Sequence, residues 1–373
     1  MRILLACPYD WGAPGGVQVH VRQLAEGLRG RGHDTRVVAP GSAPASDPWV
    51  RVVGRPVRVP YQGTVAPISF SPGAWRRVRS AIRSFDPAIV HVHEPLTPSI
   101  SMLAVLAANA PVVATFHAYL DRSRLMELAG PALRRVFRRI DAGIAVSDAA
   151  AEFLRRVIPV PVEIVPNGVD VGRFAHPGEP ARGLPAGRKI LWVNRLDPQK
   201  GFRVMLDAFE RLPSELDDVS LVVAGNGDER DALGTLPERI RPRVLRLGPV
   251  AHDLLPGYHA VADLFVSSAL GQESFGIVLV EAMSAGLPVV CTDIPGYREV
   301  VRDGVEGLLV PPNDPGALAD AITRVLGDPS LASAFAEAGR ARAAAYSWEA
   351  VLPRLEAVYE RVRETDGPLG GGR

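Results

Sequence analysis

The stretch HPGEPARGLPAGRKILWVN, from His176 to Asn194, decides how the chain is divided. Its first part is rich in proline and glycine, which predicts an irregular connection, and its last part, from Lys189, is an apolar run of strand length. Short apolar runs alternate with helical patterns before this stretch, as in RILLAC and VQVHVRQLAEGL, and again after it, as in SLVVAG, DLFVSS and PVVCTD. That alternation predicts βαβ units and parallel sheets, so we expect an α/β protein with two doubly wound, Rossmann-like domains.

Two domains also agree with the length of the chain, because 373 residues are more than one core usually holds. We predict that residues 1–168 form the first domain and residues 169–348 the second. The pattern SWEAVLPRLEAVYERVRE is amphipathic and no strand follows it, so we expect residues 349–373 to pack back on the first domain as a helix. Ligands of doubly wound sheets bind at the carboxyl ends of the strands, and two facing sheets would form an interdomain cleft.

Charge and composition exclude several classes of protein. The net charge is +1 and acidic and basic residues are mixed along the chain, which argues against a nucleic-acid partner. Cys7 and Cys291 lie far apart inside apolar runs, which predicts buried free thiols in a reducing compartment. The apolar run after Met1 is too short for a signal peptide and no run reaches membrane-spanning length, so we expect a cytoplasmic protein.

Phosphate-binding candidates come from loops after predicted strands. The sequence contains neither the G-x-G-x-x-G dinucleotide pattern nor a G-x-x-x-x-G-K-[ST] loop, which argues against dehydrogenases and P-loop enzymes. Gly16 ends the loop after the first strand, where backbone could approach a ligand, although a plain tight turn explains it equally well. Arg195 and Lys200 share the loop NRLDPQKG, and two cations there suit a diphosphate, unless they are only a solvated pair.

The stretch LGQESFGIVLVEAM places Glu273 and Glu281 eight positions apart around a glycine-containing turn and an apolar run. A helix that begins between Ser274 and Gly276 would present unpaired N–H groups and the positive end of its dipole to an anion such as a nucleotide diphosphate. The carboxylates can accept hydrogen bonds from sugar hydroxyls on both sides of that anion. The alternative is an acid that stabilises a helix N-terminus together with an unrelated polar position.

Three histidines occupy or end predicted strands of the first domain. His117 ends the run PVVATFH, at the edge expected to face the cleft, and it could equally be a buried structural histidine. His91 and His93 lie on one face of the strand IVHVHEP and suggest a metal, but the sequence offers no third ligand at a suitable spacing. We therefore predict no metal site and interpret both residues as structural.

These residues together resemble the retaining, nucleotide-sugar-dependent glycosyltransferases of the GT4 type, which have the GT-B fold. The most specific part is the E-x7-E pattern of Glu273 and Glu281, joined by NRLDPQKG and by the PNGVD before the interdomain connection. The likeness covers nearly the whole chain. Within this family, CPYDWGAPGGVQVHV, VPYQGTVAP, HEPLTPSISMLA and VVATFH are most similar to enzymes that mannosylate phosphatidylinositol.

The resemblance implies transfer of mannose from GDP-mannose, the donor substrate, to the inositol ring of phosphatidylinositol, with no permanently bound cofactor. Arg195 and Lys200 would neutralise the leaving group, Glu273 would contact the sugar hydroxyls, and His117 would lie by the sugar on the acceptor side. Glu281 would bind the ribose. The nucleotide-sugar contacts implied are Gly16, Val250, Ser274, Phe275, Gly276, Ile277, Val278 and Glu281.

Departures from the family pattern fall on the acceptor side. The family commonly has Tyr-Asn where this chain has Tyr61 and Gln62, and a threonine and a lysine of the family correspond to Ala118 and Arg122. The acceptor-binding residues implied by the resemblance are Tyr9, Gln18, Tyr61, Gln62 and Arg122.

A possible membrane contact lies in SPGAWRRVRSAIRSFDP. If this stretch is a helix, Trp75, Val78, Ile82 and Phe85 form an apolar stripe with arginines beside it, and such a helix can lie on an anionic leaflet. We therefore expect peripheral association with the inner face of the plasma membrane, the alternative being an ordinary packing helix. The predicted membrane contacts are Trp75, Arg76, Arg77, Arg79 and Arg83.

Three other functions stay open at this point. The altered acceptor loops allow a GT4 transferase that uses another GDP- or UDP-sugar and a different lipid or small acceptor. A sugar-nucleotide epimerase has the same fold, and a two-lobed solute-binding protein also has two α/β lobes. The clustered cations and paired glutamates argue against the solute-binding protein.

Overall fold

The structure, a computed structural model, describes residues 1–13, 15–61, 64–117, 136–157 and 161–365. The chain divides into a first unit, Met1–Gly168 with Trp348–Arg373, and a second unit, Val169–Ser347. Each unit is built on a parallel sheet with helices, as the alternation of strand and helix patterns predicted.

The strands of the first unit form a parallel sheet and a separate hairpin. They are β1 (Arg2–Ala6), β2 (Asp34–Pro40), β3 (Val50–Gly54), β4 (Val57–Tyr61), β5 (Thr64–Ile68), β6 (Ile89–His93), β7 (Val112–Phe116), β8 (Ala142–Ala145) and β9 (Val162–Ile164). The sheet has the order β3-β2-β1-β6-β7-β8-β9, while β4 and β5 pair antiparallel. The order changes direction between β1 and β6, so the carboxyl ends of these two strands mark the ligand-binding position of this unit.

The second unit has a six-stranded parallel sheet. Its strands are β10 (Lys189–Val193), β11 (Ser220–Ala224), β12 (Val244–Gly248), β13 (Leu264–Ser267), β14 (Val289–Thr292) and β15 (Gly307–Val310). They lie in the order β12-β11-β10-β13-β14-β15, and every pair is parallel. The direction changes between β10 and β13, so the loops that follow these two strands are the ones placed to bind a ligand.

Helices connect the strands in both units. In chain order they are α1 (Gly16–Gly30), α2 (Pro72–Phe85), α3 (Ile100–Ala107), α4 (Asp148–Val157), α5 (Val171–Ala175), α6 (Phe202–Glu210), α7 (Leu255–His259), α8 (Ile277–Ser284), α9 (Pro295–Arg298), α10 (Pro315–Gly327), α11 (Pro329–Ala343) and α12 (Trp348–Thr365). None of the helices within the described ranges is both long enough and apolar enough to cross a bilayer.

Strand β1 shows how the core of the first unit is divided. Leu4 and Ala6 face a cluster that includes the apolar side of α2 and α3, while Ile3 and Leu5 face a second cluster with α1 and α12. Alternate residues of a strand point to opposite faces, so the sheet is covered on both sides. Helix α12 is tied to the end of α1 by the carboxylate of Glu356, which forms an ion pair with Arg31 at 2.7 Å and lies 2.8 Å from Nε2 of His33.

The structure corrects the interpretation of α2. Val78, Ile82 and Phe85, three residues of the predicted membrane-facing stripe, are buried in the core of the first unit, and Trp75 packs against that core. The prediction that this stripe rests on a leaflet is therefore wrong, because the sheet already covers it. The arginines on the other side, Arg76, Arg77, Arg79 and Arg83, are exposed.

Candidate active site

The candidate site of the second unit is built from the loops after β10 and β13, which are neighbours in the sheet. Lys200 ends a short 3-10 turn after β10, Glu273 lies in the loop after β13, and the Lys200 ammonium forms an ion pair with a carboxylate oxygen of Glu273. Both side chains are largely buried, with 20% and 18% of their surfaces exposed. The structure therefore brings together two residues that are 73 positions apart in sequence.

Close packing of the two loops holds this ion pair. Gly201 has a φ of 65°, and a Cβ at that position would lie 1.9 Å from the carbonyl oxygen of Ser268. The Ser268 hydroxyl donates to the Gly201 carbonyl at 2.9 Å, and the N–H of Leu270 donates to the Gln199 carbonyl at 2.8 Å. Glycine adopts this conformation without strain and leaves this space, so Lys-Gly is the local sequence that lets the cation reach Glu273.

The electrostatics of Lys200 depend on its burial. The pKa of its ammonium is lowered to about 8, mainly by desolvation and also by the nearby Arg195 guanidinium, while Asp197 opposes the shift. Arg195 itself forms an ion pair with Asp197 at 3.0 Å and is 55% exposed. Lys200, which is partly buried, and Arg195, which is exposed, can therefore both contact an anionic group and stabilise negative charge that develops on it.

Helix α8 follows Glu273 and begins after Gly276, its N-cap residue, as the sequence predicted to within a residue. The preceding loop contains Gln272 with a φ of 59°, a conformation that non-glycine residues adopt chiefly at constrained sites. Phe275 is buried with its ring against Tyr346 at 5.3 Å, so its side chain is part of the core and only its backbone can reach a ligand. Ile277 and Val278, the first two residues of α8, are half-buried, and so is Val250 after β12.

Glu281 lies inside α8 with its side chain only 5% exposed. Its carboxylate contacts Nε2 of His252 at 2.8 Å. The sequence analysis missed His252 because it lies 29 positions away, in a loop with no recognisable motif. A carboxylate at this depth needs a hydrogen-bond partner, and His252 supplies one within the second unit.

The first unit contains the other predicted contacts. Gly16 is exposed at the start of α1, and a Cβ built there meets no atom within 4 Å, so the backbone is accessible. Tyr9 forms a bridge with Ile68. Gln18 is buried and its amide donates to the Asp10 carbonyl at 3.2 Å, so it supports the loop after β1.

Part of the predicted acceptor site cannot be placed. Gln62 and Arg122 lie outside the described residues, and only the backbone of Tyr61, at the end of β4, is described.

His117 lies just after β7 and is held by contacts on several sides. Its backbone N–H donates to the carboxylate of Glu94, its Nδ1 lies 3.1 Å from the Asn167 amide oxygen, and its Nε2 lies 2.9 Å from Nδ1 of His93. Because an amide oxygen only accepts, His117 Nδ1 carries the proton in this contact. Glu94 has a φ of 49°, so this junction also holds a constrained backbone.

Three other histidines of the first unit gather around His117. His91 and His93 of β6 stack at 4.5 Å between ring centroids, and His20 of α1 lies 4.8 Å from the His117 ring. Desolvation is the main cause that lowers the pKa of all four, to about 3 for His91 and to about 4 for His117. Neighbouring imidazoles add to the effect at His20, His91 and His93.

The structure adds one observation to the interpretation of His91 and His93. The sequence analysis found no third ligand near them, but ring nitrogens of His20, His93 and His117 all lie within 4.8 Å of one another. Sequence spacing could not show this, because the three residues come from α1, β6 and the loop after β7.

Comparison with known proteins decides the family. Residues 14–173 match Glycosyltransferase Family 4, and residues 183–342 match Glycosyl transferases group 1. The chain is 40% identical over 367 residues to a phosphatidyl-myo-inositol mannosyltransferase of Mycobacterium leprae, covering 97% of each chain. A relative with the same description from Propionibacterium freudenreichii is 32% identical over 372 residues, covering 96% of this chain and 94% of the relative. The chain belongs to glycosyltransferase family 4.

Solved structures confirm the fold of this family 4 glycosyltransferase. Sucrose-phosphate synthase from Thermosynechococcus elongatus superposes with a TM-score of 0.76 at 23% identity, covering 98% of this chain and 99% of the other. WaaG, a glycosyltransferase involved in lipopolysaccharide biosynthesis, superposes with a TM-score of 0.70 at 18% identity, covering 96% and 99%. These likenesses show the GT-B fold of two Rossmann-like domains, as predicted from the sequence.

Proposed function

We propose that this family 4 glycosyltransferase moves mannose, with retention of configuration, from GDP-mannose to the inositol ring of phosphatidylinositol. Two facts support the proposal. The curated relatives that match almost the whole chain are phosphatidyl-myo-inositol mannosyltransferases. The structural observation that carries it is the Lys200–Glu273 ion pair beside Arg195, at the switch point of the second sheet.

The ion pair suits a donor that is both a sugar and a diphosphate. The ammonium of Lys200 has three donors, and Glu273 occupies one side of it. A diphosphate would compete with Glu273 for the ammonium, which leaves carboxylate lone pairs to accept hydrogen bonds from sugar hydroxyls. Lys200 would then contact the phosphate and Glu273 the mannose, on either side of the bond that breaks.

Charge development explains why two cations are needed. Transfer breaks the bond between the anomeric carbon and the β-phosphate oxygen, forms a bond to an inositol oxygen and releases the proton of that hydroxyl. The departing GDP gains negative charge, which Lys200 and Arg195 stabilise more strongly in the transition state than in the bound donor. This role needs Lys200 in its charged form, although burial lowers its pKa to about 8.

The remaining donor contacts come from α8 and from Gly16. Helix α8 begins at Ile277, four residues after Glu273, and its N-terminal N–H groups suit a phosphate oxygen. Glu281 is proposed to accept hydrogen bonds from the ribose hydroxyls, which would take the place of His252 as its partner. Gly16 is proposed to let its backbone approach the diphosphate, because nothing fills the space beside its Cα.

On the acceptor side, His117 is proposed to lie by the sugar, as a neutral imidazole whose orientation is fixed by Asn167 and His93. Tyr9 is a proposed contact of the acceptor, and so are Tyr61, Gln62 and Arg122. Phosphatidylinositol stays in a bilayer, so the enzyme is proposed to work from the cytoplasm at the inner face of the plasma membrane. The exposed arginines of α2 supply a positive surface for anionic lipid, and the apolar stripe of α2 takes no part in this contact.

The test is to incubate the protein with GDP-mannose and vesicles that contain phosphatidylinositol, and to analyse lipid and nucleotide products by mass spectrometry. We expect a mannosylated phosphatidylinositol and an equal amount of GDP. UDP-glucose in place of GDP-mannose, and phosphatidylglycerol in place of phosphatidylinositol, serve as matched controls for donor and acceptor.

Glu273→Ala separates the proposed chemistry from binding. We expect this variant to lose most transfer and to keep most of its affinity for GDP, because Glu273 is proposed to contact the mannose, which GDP lacks. Glu306→Ala is unsuitable as a control because that residue is fully buried, whereas Glu349 is exposed and Glu349→Ala should behave like the parent. Efficient transfer from UDP-glucose, or to phosphatidylglycerol alone, would replace the proposal by another family 4 activity.

A further inference from the structure

A buried carboxylate of the second unit depends on one histidine in a loop. The side chain of Glu281 in α8 is 5% exposed, and its Oε1 lies 2.8 Å from Nε2 of His252. Because a carboxylate only accepts hydrogen bonds, Nε2 of His252 carries the proton and is the donor. Within the described part of the chain, no other group donates a hydrogen bond to this carboxylate. The contact with His252 therefore compensates the cost of burying Glu281.

His259, the other imidazole near Glu281, cannot provide this hydrogen bond. It is 1% exposed, and its Nδ1 lies 2.9 Å from the Leu255 carbonyl oxygen, so Nδ1 carries the proton of the neutral ring. Burial is the main cause that lowers the pKa of His259, which keeps the ring neutral and leaves its Nε2 without a proton. Removal of His252 would therefore leave Glu281 with no donor among the described residues.

The imidazole of His252 can leave the carboxylate without losing another hydrogen bond to the protein. Its side chain is 25% exposed, and its neighbours Ala251 and Asp253 are exposed. Its Nδ1 has no hydrogen bond to a described residue. A ring that turns from Glu281 into solvent can hydrogen-bond to water through both nitrogens. The same loop contains Val250, a proposed nucleotide contact, two positions before His252.

The diol of a ribose needs the oxygen atom that His252 occupies. Two neighbouring hydroxyls can each donate to one oxygen of a carboxylate, and Glu281 is too buried to offer many open directions. A hydroxyl that approaches Oε1 therefore displaces the imidazole.

We propose that His252 is a positioning residue, which holds Glu281 in the nucleotide-free protein and competes with the ribose hydroxyls for its carboxylate. This inference rests on the proposed contact of Glu281 with the ribose. The competition weakens the binding of the donor and of the GDP product. Differences in affinity at one site appear mostly in the dissociation rate, so His252 also speeds the release of GDP.

Calorimetry with GDP measures the competition in the full-length parent, in His252→Ala and in His252→Gln. A hydrogen bond to a charged group changes an equilibrium constant by roughly 10-fold or more, so His252→Ala should bind GDP about 10-fold more tightly than the parent. A glutamine amide can donate to Glu281 in place of Nε2, so His252→Gln should restore the affinity of the parent. His176→Ala removes an exposed histidine of the second unit and should leave the affinity unchanged.

Ligands without the ribose diol separate this competition from a general effect on the site. Dideoxy-GDP, which lacks both ribose hydroxyls, and inorganic pyrophosphate leave His252 in contact with Glu281. His252→Ala should therefore bind these two ligands no more tightly than the parent. A substitution that only loosened the loop would change the affinity for all of the ligands alike.

A measurement on the unsubstituted protein covers the case in which His252→Ala does not fold. In protein labelled with nitrogen-15 histidine, the Nε2–H of His252 on the carboxylate gives a downfield proton signal in NMR spectra. The signal is assigned by its absence in His252→Gln. Saturating GDP should remove the signal through exchange with water, and dideoxy-GDP should leave it in place.

The competition is overturned if folded His252→Ala binds GDP as tightly as the parent, or more weakly. It is also overturned if the gain in affinity appears with pyrophosphate, or if the His252 signal persists in saturating GDP.

Glu281→Ala keeps this outcome separate from that of the proposed function. If Glu281→Ala binds GDP like the parent, the proposed ribose contact fails and the competition fails with it. If Glu281→Ala binds weakly and His252→Ala shows no gain, the competition alone is refuted. UDP is measured beside GDP because both contain ribose, so a gain found with UDP alone would change the proposed donor and support the competition.

Discussion

Lowering the pH from about 7.5 to about 5 should reduce the free energy of unfolding of the first unit. The contribution of His91 to this loss follows from its pKa. His91 is fully buried between Tyr359 and Thr115. Burial, with a smaller effect of the neighbouring His117, lowers its pKa to about 3. In the unfolded chain the same imidazole takes up its proton at about pH 6.5.

The sign follows from these two pKa values. Above about pH 6.5 the residue is neutral in both states, and as the pH falls below this value the unfolded state binds a proton that the folded state does not. At about pH 5 the difference is worth about 2 kcal/mol of lost stability. His117, with a pKa of about 4, adds about 2 kcal/mol by the same reasoning, and His20 and His93 act in the same direction.

Urea unfolding at the two pH values tests the argument. Four of the five tryptophans lie in the first unit, so tryptophan emission reports mainly on that unit. In His91→Asn, the loss of stability between about pH 7.5 and about pH 5 should be smaller by about 2 kcal/mol than in the parent. The carboxylates titrate in both proteins, so their contribution cancels in the comparison.

His176→Asn is the control, because it replaces an exposed histidine of the second unit and should leave the pH dependence unchanged. The reasoning is refuted if His91→Asn and the parent lose the same stability on acidification. A lower absolute stability of His91→Asn at both pH values would not affect the comparison, since the change between them is what is measured.

Three further predictions concern catalysis and binding. The turnover number kcat, measured between about pH 6.5 and 9.5, should fall as the pH rises through about 8, the pKa of Lys200. Lys200→Arg should remove this alkaline decrease, and the control Lys189→Arg should keep it. Glu281→Ala should weaken GDP binding by at least about 10-fold in calorimetry, because hydrogen bonds to a charged group are lost, and unchanged affinity would contradict the ribose contact. Binding to anionic vesicles at low salt should weaken by about 1 kcal/mol for each arginine removed from the exposed side of α2, and equal sedimentation would place the membrane contact elsewhere. The substitutions are Arg76→Ser, Arg79→Ser and Arg83→Ser; Arg77 is kept because its Nε donates to the Val53 carbonyl. The control replaces three exposed arginines of the second unit, Arg182→Ser, Arg211→Ser and Arg239→Ser.

The sequence predicted the second unit better than the first. Parallel neighbouring strands end at the same edge of a sheet, so loops that follow them converge whatever their separation in sequence. This rule brought the loop of Lys200 and the loop of Glu273 together correctly. It did not reveal His252, because a lone histidine in a loop carries no periodic signal.

The first unit shows where periodicity stops being informative. The stripe of Val78, Ile82 and Phe85 proved that α2 has an apolar side, but not whether protein or lipid covers it, and the sheet covers it. In the same way, the sequence position of His20 on α1 indicates on which face of the helix it lies, but not which residues it contacts. Its contact with His93 and His117 depends on how α1 packs over the sheet, which no local pattern records.

The choice of lysine at position 200 is itself informative. The chain has 42 lysines and arginines, of which only Lys189 and Lys200 are lysines, so arginine is the ordinary cation of this sequence. Lys200 lies where Gly201 packs against the Ser268 carbonyl, and it contacts a carboxylate in a largely buried position. A compact ammonium with rotatable donors fits such a position and can turn from Glu273 to a phosphate, whereas a planar guanidinium needs more room and fixed partners. The cost is that burial makes the ammonium titratable near the working pH, which an arginine would avoid. The role of Lys200 is therefore assigned by the alkaline limit of turnover, since a purely structural ion pair would not impose that limit on the chemical step.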